Sequence, residues 1–158
     1  MASPTEADRV EAVRRLLSGL ATGVDANQLV ADIADLHVRH ITFPGEVFMD
    51  LAADALAQAG VERTHAIEYR ALLSTHLAEV EFRGKEHRRI QYAVLTVFAF
   101  QGGLEPDLLD EVTYWIEQYW QYALLAAVAI VRHCAERSDT TIETFASNLA
   151  AHRGIQIA

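Results

Sequence analysis

The chain has one cysteine, three prolines and a single lysine in 158 residues. Each scarcity excludes something. Cys134 alone cannot close an internal disulfide, so the fold does not depend on cross-links and a reducing compartment is expected. The longest uninterrupted apolar run is Tyr122 to Val131, half of the roughly 20 residues a bilayer span requires. No membrane partner is therefore expected. Met1 to Glu6 has neither the basic nor the apolar region of a secretory signal, which makes a cytoplasmic location the expectation. Positive charge is also short. The net charge is −9, with six arginines against twelve acids in residues 1–80 and seven basic residues against ten acids in residues 81–158. Duplex nucleic acid selects basic surfaces through counterion release, so no nucleic-acid partner is expected. An acidic chain suits solubility or a basic partner.

What is present reads as helix. The length suits one domain, residues 1–158, in which a core can bury about 68–70% of the unfolded chain's surface. Start and stop signals recur at short intervals. Ser3-Pro4-Thr5-Glu6 has the form of a capping box with proline at the first helical position. It opens a stripe of Val10, Val13, Leu16, Leu17 and Leu20 that ends between Gly19 and Gly23. Asp25 to Gln28 cap a second helix whose apolar face is Leu29, Val30, Ile33 and Leu36 and which must stop near Ile41, ahead of Pro44. A third helix runs from about Pro44 to Ala59, with Val47, Phe48, Leu51, Ala52, Ala55 and Leu56 inward and Gly60 just past its end. A fourth begins near Glu62 or Thr64 and carries Ile67, Leu72, Leu73 and Leu77. A fifth spans about Lys85 to Gln101. Its second half, Ile90 to Phe100, is rich in β-branched and aromatic residues and also fits a strand paired with Val80–Phe82. The spacing of Ile90, Val94, Val97 and Phe98 favours helix. Thr140 and Glu143 cap a last helix that reaches about Arg153.

The segment from Pro106 to Arg137 contains no further glycine or proline. It opens with Asp107, Asp110 and Glu111, which complement a helix dipole, and then passes through Tyr114, Trp115, Tyr119, Trp120 and Tyr122 into an alanine-rich run. It reads as one long helix, or two coaxial ones. Leu108, Val112, Trp115, Ile116, Tyr119, Ala123, Ala126, Ala127, Ile130 and Cys134 share one face, while Leu124, Val128, Val131 and Trp120 occupy another. A helix that is apolar all round must be enclosed. Either the other helices surround it, or a second copy covers the second face in a homodimer. The fold expected is all-α, a compact bundle of about six to seven helices around a long central helix at about 106–137.

Three groups of residues could carry a function. Arg83, Lys85, Arg88 and Arg89, with His87, form the one dense basic cluster, and Tyr92 follows on the same face. Cations at a helix N-terminus are unfavourable for the helix itself, which points to an anionic group or an acidic partner. The alternative is pairing with Glu81, Glu86, Glu105, Asp107, Asp110 and Glu111. Trp115, Tyr119 and Tyr122 lie close in projection and could line a pocket for a small apolar or cationic ligand; they could equally fill the core. The histidines supply the third group. His37 and His40, with Glu62, His65 and Glu68, have helical spacings that could hold a metal. A di-iron bundle uses two Glu-x-x-His pairs and two further glutamates; here one such pair exists, so no metal site is assigned. Ser74-Thr75-His76 is not a nucleophile and base, since adjacent positions on a helix face different ways. No phosphate loop or nucleophile elbow is present, and no cofactor is expected. These residues point to a non-enzymatic interaction or regulatory module, self-associating and carrying a basic patch. The alternatives are a ligand-binding bundle with an aromatic pocket and a metal-dependent enzyme.

Overall fold

The computed structural model describes residues 5–38, 45–61, 69–102 and 119–157. They form seven helices: α1 (Glu6–Ala21), α2 (Ala26–Val38), α3 (Glu46–Gln58), α4 (Tyr69–His76), α5 (Glu86–Gly102), α6 (Trp120–Arg137) and α7 (Ile142–His152). There is no strand among the described residues. The all-helical expectation holds. No helix of the described residues is long and apolar enough to cross a membrane.

Caps decide where the helices begin and end. α1 is capped by Thr5, not Ser3. The Asp8 N–H donates to Thr5 Oγ1 at 3.2 Å, and the Thr5 N–H donates back to the Asp8 carboxylate at 2.9 Å. Gly19, read from sequence as part of the helix stop, lies inside α1 and is buried. It marks the close approach of α2, because a Cβ there would overlap the Leu29 Cδ2 methyl. α3 ends as its sequence indicates. Gly60 takes φ 70°, and the Val61 N–H closes onto the Leu56 carbonyl at 2.9 Å. α6 ends by the same closure, with Thr140 N–H donating to the Ala135 carbonyl at 3.1 Å. There the left-handed position is filled by Asp139, at φ 54°. Because Thr140 is spent closing α6, the cap of α7 falls on Thr141, whose hydroxyl accepts the Thr144 N–H at 3.0 Å. The expected Thr140–Glu143 box is thereby displaced by one residue.

The helix–strand ambiguity at residues 90–100 resolves as helix. Ile90, Ala93, Val94 and Val97 of α5 are all buried, at the i, i+3, i+4, i+7 spacing of one helical face. Of the segment expected as one long helix or two coaxial ones, the described residues show the second half. α6 begins at Trp120, and Tyr119 sits at φ −119°, ψ 41°, outside the helical region. The helix therefore does not run unbroken through Tyr119, and residues 106–118 lie outside the described ones. Bulky aromatics have only middling helix propensity, so nothing local resists a break there.

α6 is the helix around which the described residues pack. It lies against α2, α3, α4, α5 and α7, most extensively against α3. α1 closes on α2 and α7, and α5 on α3. Every side chain from Tyr122 to Val131 is buried, with Leu124, Val128 and Val131 at 0% exposure. The second apolar face, for which a second copy of the chain was one solution, is covered by the chain's own helices. Alanines at 123, 126, 127 and 129 leave room for neighbours at the 8–10 Å interaxial distance of packed helices.

Two substitutions test this account. Leu124→Ala leaves a cavity and lowers stability by about 2–5 kcal/mol in urea unfolding; a change within about 0.5 kcal/mol, the range of exposed positions, would mean the face is not enclosed. Asp139→Gly relieves a left-handed non-glycine residue and raises stability by about 0.5–1 kcal/mol in the same measurement.

Candidate functional site

The basic cluster stands at the start of α5, where the sequence places it. The Glu86 N–H donates to the Arg83 carbonyl at 3.1 Å, and the Arg88 and Arg89 N–H groups donate to the Lys85 carbonyl at 3.1 and 3.2 Å. These bonds form the turn that starts the helix. Glu86 is the single acid of that first turn; the cations beside it oppose the helix dipole.

The four basic residues do not share one environment. Arg83 pairs with Glu81 at 3.0 Å, with both side chains about three-quarters exposed, and a pair so exposed contributes little. Lys85 and Arg88 are exposed, and no carboxylate among the described residues forms an ion pair with either. Glu105, Asp107, Asp110 and Glu111, expected as counter-charges, fall outside the described residues. Elsewhere five arginines are tied down, while Arg137 is exposed without an ion pair among the described residues. Arg9 pairs with Glu46, Arg14 and Arg15 with Glu11, Arg132 with Glu79, and Arg153 with Asp50 and Asp54.

Arg89 joins two groups that the sequence presents separately. Its guanidinium carbon lies 4.5 Å from the centre of the Tyr119 ring and 5.7 Å from that of Tyr122. The rings are 6.2 Å apart and tilted at 53°. The Tyr122 side chain first, then Tyr119 and Glu86, favour the charged guanidinium and push its pKa up. Tyr122 is buried and Tyr119 half-buried. An arginine thus occupies ring surface that a cationic ligand of an aromatic pocket would need. Trp115 lies outside the described residues, and Tyr92 is 43% exposed on α5.

The metal candidates stay apart from this description. His40, Glu62, His65 and Glu68 fall outside the described residues, as does the side chain of His37. Among the described residues, no three His, Cys, Asp or Glu side chains are grouped to hold a metal ion. Ser74 and Thr75 are exposed while His76 is buried, so the three do not act together.

A second polar cluster, invisible in the sequence pattern, lies at the other end of α6. His76 is the one buried polar or charged residue of the described set. Its ring meets His133 edge-on, with centroids 5.7 Å apart and planes at 77°. Arg132 reaches across to the His76 carbonyl at 2.6 Å and to both oxygens of Glu79 at 2.8 and 3.0 Å. Nothing in the local sequence of either histidine announces this, since the partners come from α4 and α6. A cavity of about 500 Å³ lies between α1, α3 and the end of α7, walled by Val10, Val13, Val47 and Ile155. On its rim Arg153 is clamped to Asp54 at 2.6 Å and to Asp50 at 3.0 Å, and Arg9 pairs with Glu46.

With this geometry in view, comparison with known proteins adds no identity: no protein-family model, no curated protein and no solved structure matches the chain.

Cys134 is fully buried on α6, and burial pushes its thiol up to about 12 against a weaker opposing effect of Arg137. It is an inert core thiol. A thiol reagent at about pH 8 leaves the native protein unmodified and labels Cys134 only on unfolding; rapid labelling of the native state would contradict the enclosure of α6.

Proposed function

We propose that the protein is a non-enzymatic interaction or regulatory module that docks an acidic partner on the start of α5. The observation that carries this reading is the contrast between Lys85 and Arg88, exposed and without an ion pair among the described residues, and the five arginines held by carboxylates elsewhere. In a chain of net charge −9, two cations at the positive end of a helix oppose the macrodipole. An anionic partner would lower that cost while being repelled by the rest of the surface, which favours one docking position. Arg89, bound over Tyr119 and Tyr122, serves as the fixed edge of the patch, and Tyr92 as its exposed apolar flank. Self-association is no part of this reading, because Leu124, Val128 and Val131 are already covered. A cytoplasmic setting is consistent with the free, buried thiol of Cys134.

Fluorescence anisotropy with a labelled oligoglutamate peptide tests the proposal. Wild-type protein binds the peptide at low ionic strength and binds it more weakly at about 0.15 M salt, where exposed charges are screened beyond ~8 Å. Lys85→Glu with Arg88→Glu weakens binding at least about tenfold, a loss of ~1.4 kcal/mol. Arg137→Glu, an exposed site outside the patch, leaves it unchanged. Equal binding by the double variant, or none by the wild type, would remove the reading.

A further inference from the structure

The buried histidine at the end of α4 has no role in the docking patch, and its surroundings are unusual. α4 is the shortest of the described helices, eight residues from Tyr69 to His76, and the helix it packs on is α6. Its last residue, His76, brings an imidazole into that seam with a side chain only 9% exposed. The ring faces His133 at 5.7 Å. The nearest carboxylate among the described residues, Glu136, lies 3.6 Å from Nε2, beyond hydrogen-bond reach, on a side chain 70% exposed to water.

The chain beyond His76 is pinned at the same place. Arg132 of α6 holds the His76 carbonyl and the Glu79 carboxylate, and the Asn27 side-chain N–H of α2 donates to the Glu79 carbonyl at 3.0 Å. Leu72 and Leu77, on either side of His76, are buried at 2% and 1% exposure. The charges around the two rings, among the described residues, are Arg132, Glu136 and Arg137 from α6, Glu79 after α4, and Asp139 in the turn before α7, which shares a cleft with His76. Glu79 is committed to Arg132. Glu136 favours protonation of both rings, but its exposure lets water screen it.

We propose that the His76–His133 contact is an acid-sensitive latch, which holds α4 and residues 77–80 against α6 at neutral pH and releases them when the rings take up protons. Protonation would place two imidazolium rings 5.7 Å apart, beside Arg132, with the His76 side chain only 9% exposed and His133 half-buried. Burial disfavours charge on both rings and is the largest influence on each, so their pKa values lie below the ordinary 6.5. The closed latch therefore binds fewer protons than the open one between that lowered range and about 6.5. Its stability is complete above about pH 6.5 and declines as pH falls below it. Opening exposes Leu72 and Leu77 and frees the segment that leads to Arg83 and Lys85.

Hydrogen exchange on the intact protein, corrected for the intrinsic pH dependence of amide exchange, tests this directly. Between about pH 7.5 and about pH 5.5, protection of residues 69–80 falls at least about tenfold, one pKa unit's worth, while residues 46–58 of α3 change less. His76→Gln flattens the response of residues 69–80. His133 is half-buried, so His133→Gln keeps the test decisive should His76→Gln fail to fold; it reduces the response at least about threefold. An unchanged wild type, an equal fall throughout α3, or a full response in His133→Gln would overturn the proposal.

Discussion

The enclosure of α6 is the constraint on which the described structure depends. A helix whose side chains from Tyr122 to Val131 are all buried can exist in water only if neighbours cover it on every side. Five described helices do so, and alanines at 123, 126, 127 and 129 allow them close. The consequence is a division of labour along about 27 Å of helix. The middle of α6 carries no polar side chain at all. The polar chemistry is displaced to its two ends, with Tyr119 and Tyr122 under Arg89 at one and Arg132, His133 and Glu136 around His76 at the other.

Electrostatics follows the same logic of commitment. The protein is acidic, so most of the described arginines find carboxylates, and several of these pairs join elements distant in sequence. Arg9–Glu46 ties α1 to α3, Arg153 ties the end of α7 to Asp50 and Asp54 of α3, and Arg132 ties α6 to the segment after α4. These partly buried ties set the angle and position of helices whose apolar contacts are non-directional. Against that background an exposed lysine and arginine at a helix start are conspicuous for what they lack.

Much of this was legible residue by residue. Gly60 and the buried stripe of α3 behaved as their spacing indicates, and so did the basic start of α5. Boundaries shifted where two elements compete for one residue. Thr140 looks like a cap for the last helix, but its N–H is taken by the Ala135 carbonyl, and Thr141 caps instead. Gly19 looks like a helix stop and is a packing contact with Leu29. The segment read from Pro106 to Arg137 as one helix or two coaxial ones is interrupted at Tyr119, since the absence of glycine and proline permits a continuous helix without enforcing one. Of the candidate site, the basic residues and the tyrosines were each visible, but not that Arg89 would join them.

By itself, the sequence determined the class and the content of the core. Helical periodicity, glycine at C-terminal caps and the apolar circumference of residues 122–131 are local properties, and they leave an all-α fold with an enclosed helix as the consistent outcome. Tertiary structure alone decided what encloses that helix and which polar groups meet at its ends. His76 and His133, like Arg89 and Tyr122, belong to different helices. Their proximity depends on how those helices cross, and no pattern confined to one helix encodes a crossing.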